Sequence, residues 1–236
     1  MHRPTRSTAR TRSTGTFLST LLPLASLAAV LLLNGAAVQA QDEAPAAQGK
    51  LGSAPPVTYA NRYELYGGFN FQNTMAGQDL PTRANLGGIE ILGTDWLTPK
   101  WGVGVEFRGE AGSTPTLAAP IAQNNLPSRP NIYQLMFLGG AEYRGPKNQY
   151  AAWNVHAFGG AAHGVFDAQT AGSTVNLGLY TNRTSPQFAL GTSVDINRSK
   201  KWAIRIAPDL IVEHWGTETR EFFYLSGGVV YRIGKK

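Results

Sequence analysis

Charged side chains recur at every second position in several segments of this chain. Glu106, Arg108 and Glu110 form one such row, and Arg205, Asp209 and Glu213 form another at wider spacing. Because successive side chains of a β-strand point to opposite faces, each row would share one face. Such faces suit a structural network of ion pairs, a path for ions, or a catalytic site. The full set of candidates is Glu64, Glu90, Glu106, Arg108, Glu110, Glu142, Arg144, His156, Asp195, Arg205, Asp209, Glu213, Arg220 and Arg232.

Catalysis is the least supported of these three uses. A lipid-acting hydrolase would need a Ser–His–acid constellation. His214 follows Glu213, and Ser173 and Ser185 fall in one long connection, so location alone leaves a triad open. Neither serine has a flanking nucleophile motif, and the histidines lack metal-ligand spacing. We therefore predict no enzyme, no metal and no cofactor.

The first 40 residues are typical of an export signal. Arg3, Arg6, Arg10 and Arg12 precede a mostly apolar run, residues 18–33, and small residues follow up to Ala40. This order predicts a signal peptide over residues 1–40 that is removed after export. The alternative, a single membrane anchor, is less favoured because the run is marginal in length and no basic stop follows it.

The composition of the remainder limits the partners. The chain has 21 Lys and Arg against 15 Asp and Glu, but four of the arginines lie in the signal, so the high pI is poor evidence for nucleic-acid binding. Cysteine is absent, so stability must come from hydrogen bonding and packing. Residues 41–61, rich in Ala, Pro, Gly and Gln, are predicted to form a flexible periplasmic segment.

Residues 62–236 divide into segments with strict alternation of apolar and polar residues. In the third, Trp101, Val103, Val105 and Phe107 oppose Glu106, Arg108 and Glu110. We predict an all-β fold: an eight-stranded antiparallel up-and-down transmembrane β-barrel. Two segments are less regular. Leu92 falls on the polar face of the second, where nearby glycines permit a bulge, and Pro208 interrupts the seventh, where a bulge could accommodate it.

Connection lengths and aromatic residues favour a membrane over a soluble, lipocalin-like barrel. Short and long connections alternate, except that the last, around residues 216–219, is short although it belongs to the long set. Aromatic residues near segment ends suit the two bilayer interfaces. These predicted interfacial residues are Trp101, Tyr133, Tyr143, Trp153, Trp202, Trp215 and Tyr231.

Residues 62–236 resemble the OmpA-like family of eight-stranded outer-membrane barrels. The last segment, residues 226–233, adds a more specific feature: Ser226, Gly228, Tyr231 and Ile233 match the spacing of the signal that the barrel assembly machinery reads, although a terminal Phe is lacking. The resemblance implies residence in the outer membrane, contact with its lipid, and delivery by that machinery.

An eight-stranded barrel has an interior that side chains fill, so we predict a lumen plugged by a network of arginines and carboxylates. The expected function is structural or surface-interactive, with the long connections at residues 113–130 and 164–185 facing an unidentified outside partner. A narrow channel for ions or small solutes is the alternative. A lipid-acting enzyme and a soluble binding barrel are less favoured.

Overall fold

The fold is a closed antiparallel barrel of eight strands in sequence order, with the last strand paired to the first. The structure, a computed structural model, describes residues 57–78, 80, 82–115, 128–166 and 178–235. The predicted signal, residues 1–40, lies outside the described residues, as do residues 41–56. The strands are β1 (Tyr63–Thr74), β2 (Ala84–Trp96), β3 (Trp101–Ser113), β4 (Asn131–Lys147), β5 (Ala151–Val165), β6 (Arg183–Asn197), β7 (Trp202–Trp215) and β8 (Glu218–Ile233).

The two ends of the barrel differ in their connections. At one end, called the turn end, residues 97–100, 148–150 and 198–201 link the strands, and the segment before β1 and the residues after β8 lie at the same end. At the other, called the loop end, the connections span residues 75–83, 114–130 and 166–182. Only Gly216 and Thr217 join β7 to β8, and Gly216 has a φ of 61° that suits glycine. The predicted alternation and its one exception are confirmed.

The barrel wall is apolar outside and polar inside. Val105 is 71% exposed and Phe69 is 78% exposed, whereas Glu106 and Arg205 are buried at 1% and 2%. This polarity follows from the period of the strands, because one residue in two must face the axis of a closed barrel. The predicted fold class is confirmed, and the polar exterior that a lipocalin-like barrel requires is not found on the described strands.

The strands contain no bulge at Leu92 or at Pro208. The pairing of β2 with β1 and with β3 keeps one register throughout, and Leu92 simply points into the barrel. Beside Pro208 the β6–β7 ladder lapses between the pairs Gly191–Asp209 and Val194–Ile206, but the register is the same on both sides. Because the proline nitrogen carries no hydrogen, Pro208 removes one ladder hydrogen bond, but the strand needs no extra residue to accommodate it. The β4–β5 pairing does shift register, between Arg144 and Lys147 near the turn end.

Outward-facing aromatic residues gather at the turn end. Trp101 packs on Tyr143 with ring centroids 4.9 Å apart, and Trp202 packs on Tyr231 at 4.5 Å. Trp153 is also outward at this end, and Tyr133 is outward at the loop end. The prediction for Trp215 is wrong, because this side chain is buried inside the barrel at 2% exposure. It shares the inward parity of Arg205, Asp209 and Glu213.

Candidate functional site

The turn-end half of the lumen holds a compact group of arginines and carboxylates. Arg205 forms a bidentate ion pair with Asp195, with Nε–Oδ1 and Nη2–Oδ2 distances of 2.6 and 3.0 Å. Its Nη2 also donates to Glu64 at 3.4 Å. Glu64 further accepts from Arg144 at 2.5 Å and from Arg232 at 3.2 Å. We call Glu64, Glu142, Asp195, Arg144, Arg205 and Arg232 the arginine layer.

Glu64 is approached by three arginines and Arg205 by three carboxylates, so the arginine layer is a network and not a set of separate pairs. Arg205 also approaches Glu142, with an Nη1–Oε1 distance of 3.9 Å, and Arg232 approaches Asp195 at 3.7 Å. All of these side chains are almost completely buried. Removing one partner would leave others uncompensated in a water-poor interior, which is the costly case for a buried charge.

Tyr59, just before β1, covers the arginine layer at the turn end. Its hydroxyl donates to the Asn148 carbonyl at 2.7 Å and accepts from Asn197 Nδ2 at 2.6 Å. The guanidinium carbons of Arg144 and Arg232 each lie 5.1 Å from the Tyr59 ring centroid. Burial raises the pKa of the phenol, so it stays a neutral donor. The predicted flexibility of residues 41–61 does not hold for Tyr59 and Asn61, which are both buried.

A second polar group occupies the middle of the lumen. Asp209 accepts from Arg108 Nη2 at 2.5 Å, and its other oxygen lies 3.0 Å from His156 Nε2. Arg108 Nε also pairs with Glu106, and its guanidinium stacks over the Tyr224 ring at 3.9 Å. Backbone space is tight here, because a Cβ on Gly191 would collide with the Asp209 carboxylate. The small residue is therefore required for this group to form.

The loop-end half of the lumen is polar but less fully paired. Glu213 accepts from Gln72 Nε2 at 2.8 Å, from Gln187 Nε2 at 2.9 Å and from Trp215 Nε1 at 2.7 Å. Across the barrel, neither carboxylate oxygen of Glu110 has a hydrogen-bond partner among the described residues, and the same holds for both amide atoms of Gln134.

Aromatic side chains close the lumen above this region. The Phe166 ring meets Trp215 and Tyr180 edge-on, with centroid distances of 5.1 and 5.4 Å. The Tyr180 backbone donates to the Ala76 carbonyl at 3.0 Å, which joins two of the long connections. Burial raises the pKa of the Tyr180 phenol. The lumen is thus narrowed by packed side chains at both ends.

The structure places thirteen of the fourteen predicted charged residues inside the barrel. Arg220 is the exception: its side chain is 34% exposed at the loop end, where it pairs with Glu218 instead of the network. Four arginines and His156 therefore face eight carboxylates in the described lumen, a larger acid surplus than the sequence predicted. Two inward aromatic residues were not predicted to join these groups. The Trp96 ring centroid lies 3.7 Å from the guanidinium carbon of Arg144, and the Tyr224 hydroxyl donates to Glu90 at 2.6 Å.

Among the described residues considered for a catalytic triad, the serine and the histidines have other hydrogen-bond partners. Ser185 points into the lumen and accepts from Arg183 Nε at 3.0 Å. His214 Nδ1 lies 2.9 Å from Thr219 Oγ1, and His163 Nδ1 lies 2.9 Å from Thr184 Oγ1. Ser173 lies outside the described residues.

Where the chain is described, it contains no helix of the length and hydropathy that crossing a bilayer requires. The same part of the chain has no cluster of three or more His, Asp or Glu side chains suited to a metal ion.

Comparison with known proteins supports the fold. No protein-family model matches the sequence, and no curated protein matches it. Among solved structures, the outer membrane protein OprG from Pseudomonas aeruginosa is similar with a TM-score of 0.51 at 12% identity, over 74% of this chain and 96% of OprG. Neisserial surface protein A gives a TM-score of 0.50 at 11% identity, over 72% of this chain and 96% of that protein. The chain therefore has the fold of the small eight-stranded outer-membrane barrels, as its resemblance to the OmpA-like family predicted.

Proposed function

We propose that the protein is an integral outer-membrane barrel with a sealed lumen and a structural or surface-interaction role. The observation that carries the proposal is the inverted polarity of the wall: large apolar side chains cover the outside, and the charged side chains are buried inside. A surface of this kind is costly in water and suited to lipid.

Features at the turn end support a fixed position in the bilayer. Trp101, Tyr143, Trp202 and Tyr231 form two outward pairs at one level of the wall. Rings of this kind favour the boundary between hydrocarbon and headgroups. Basic residues lie in the turns beyond them, at Lys100, Arg198, Lys200 and Lys201, where headgroup phosphates would meet them. The turn end would then face the periplasm.

Two closures support a sealed lumen. Tyr59 and the arginine layer fill the turn end, and Phe166, Tyr180 and Trp215 fill the loop end. Between them, arginine guanidinium groups bridge strands that are distant in sequence, such as β1, β4 and β7. The network would hold the barrel cross-section rigid and block the passage of solutes.

Gel migration and cell fractionation test the proposal. The detergent-extracted protein should migrate differently before and after boiling, because a folded barrel resists detergent at room temperature. It should also fractionate with the outer membrane. Identical migration together with recovery in the soluble periplasm would overturn the proposal.

A narrow channel is the second candidate function, favoured by one observation. Glu110 and Gln134 are buried without partners among the described residues, and such groups are usually hydrated. Planar-bilayer conductance separates the two: a sealed barrel gives no steps, whereas a channel gives cation-selective steps because carboxylates exceed arginines in the lumen. A lipid-acting enzyme would instead change the lipid composition of cells that express the protein.

The proposed position in the outer membrane also determines the partners that we propose. Outer-membrane lipid would contact the apolar wall, and the connections at residues 113–130 and 164–185 would meet an outside partner. The barrel assembly machinery would read β8, in which Ser226 and Gly228 face inward and Ile233 is 44% exposed on the outside. Gly228 suits the β1–β8 seam, because a Cβ there would collide with the Gly67 carbonyl.

A further inference from the structure

Acceptor oxygens without donors gather in the loop-end half of the lumen. They belong to Glu110 on β3, Gln134 on β4, Gln72 on β1 and Gln187 on β6, which are exposed by no more than 4%. No donor in the described part of the chain reaches either oxygen of Glu110 or the Oε1 of any of these three glutamines. Buried acceptors of this kind are normally paired with a donor, a water or an ion.

Glu213 on β7 fixes the direction of two of these amides. Gln72 and Gln187 both donate their Nε2 to the same oxygen, Oε1 of Glu213. Each amide therefore turns its own Oε1 away from Glu213. The second Glu213 oxygen accepts from Trp215, so three donors hold this carboxylate in place.

Glu110 and Gln134 complete the arrangement from the opposite wall. They are direct partners across the β3–β4 ladder, so both side chains enter the lumen at one level. Glu213 on β7 lies opposite β3 in the closed ring of eight strands, and both carboxylates enter the lumen near the loop ends of their strands, so they face each other across it. Arg108 is the nearest arginine on β3, but it is engaged by Glu106 and Asp209.

The chemistry of these groups points to a cation. Every free acceptor is a carboxylate or amide oxygen, the ligand type that Ca²⁺ prefers, and Ca²⁺ takes about six to eight of them with flexible geometry. Two carboxylates would balance its charge. Gln134 supplies evidence apart from the acids, because it is fully buried and its Oε1 has no donor among the described residues.

We propose that Glu110, Gln134, Gln72 and Gln187 form a Ca²⁺ site inside the barrel, with Glu213 as the second balancing charge. The site draws mainly on amides, which is consistent with the lack of a three-residue acidic or histidine cluster among the described residues. It depends only on the barrel fold and is independent of whether the lumen conducts. Mg²⁺ should bind less well, because it demands a small, nearly octahedral shell.

Equilibrium dialysis with radioactive Ca²⁺ tests the site on the full chain refolded in detergent micelles. We expect one Ca²⁺ bound per barrel and a higher temperature of gel-shift unfolding in CaCl₂ than in EGTA. The same concentration of MgCl₂ should give a smaller rise. Failure of the wild-type barrel to bind Ca²⁺ would overturn the proposal without touching the proposed outer-membrane function.

Two matched variants locate the site. Glu110→Gln keeps the shape of the side chain and removes one charge, so Ca²⁺ affinity should fall by about tenfold or more. Glu218→Gln removes a rim carboxylate that pairs with Arg220, and binding should be unchanged. Equal loss in both variants, or no loss in Glu110→Gln, would overturn the assignment. If Glu110→Gln does not fold, Gln134→Leu gives the same comparison, since it removes only a neutral ligand.

Discussion

Arg205→Ala tests whether the arginine layer holds the barrel together. Arg205 makes two short contacts to Asp195 and reaches Glu64 and Glu142 at 3.4 and 3.9 Å. Alanine would remove the guanidinium and leave a void where Arg205 stacks near the Tyr66 ring. The remaining contacts to Asp195 are then Arg232 at 3.7 Å and Asn154 at 3.3 Å.

The expected cost follows from which partners are left behind. Glu64 keeps Arg144 and Arg232, so it contributes little to the loss. Asp195 loses its bidentate partner, and Glu142 loses the one ion pair that it makes among the described residues. Breaking a buried pair by removing one side costs about 3–5 kcal/mol, and we expect Arg205→Ala to fall in that range. Arg205→Lys should lie between wild type and alanine, because an ammonium cannot reproduce the bidentate contact.

Urea unfolding of the barrel in detergent or lipid, followed by tryptophan fluorescence, measures this cost. The matched control is Arg62→Ala, which breaks an ion pair with Asp95 at 3.2 Å between exposed side chains. Because Arg62 is solvent-exposed, this pair should contribute little to stability. If Arg205→Ala is no less stable than Arg62→Ala, the arginine layer does not stabilise the barrel and the reasoning above is wrong.

Three further substitutions examine the outer face, the close packing and the turn-end closure. Val105→Arg places a charge on the exposed apolar wall and should destabilise the barrel in lipid by about 2–4 kcal/mol. The control Leu97→Arg, in a turn, should have little effect, and equal unfolding midpoints for the two variants would place Val105 outside the hydrocarbon. Gly191→Ala should lower the stability by about 1–3 kcal/mol, because the added Cβ would collide with Asp209 and His156. In the same urea titration Gly67→Ala should be neutral, because a Cβ at that position has no other atom within 4 Å. Tyr59→Ala should cost about 3–5 kcal/mol of stability and raise bilayer conductance, because it opens the turn end. Tyr150→Ala, in the adjacent turn, should change neither quantity. Unchanged conductance in Tyr59→Ala would show that the loop-end aromatic residues are sufficient to seal the lumen.

The alternation of apolar and polar residues is enough to predict the strands and the faces of the barrel. Alternation places Val105 outside and Glu106 inside, and a closed sheet of this length leaves only these two faces. The same rule assigns Trp215 to the inside, since it shares parity with Glu213. The wrong prediction for Trp215 came from giving its residue type more weight than its position in the alternation.

The contacts between inward residues depend on the closed barrel and do not follow from the alternation. Arg205 on β7 pairs with Asp195 on the neighbouring β6, but also reaches Glu64 on β1, and that choice depends on strand register and on the reach of each side chain. The alternation could not show that Arg220 lies beyond the sealed lumen, or that Tyr59, before the first strand, turns back into it. Periodicity fixes the direction of a side chain, whereas its depth along the barrel and its partners depend on the closed sheet as a whole.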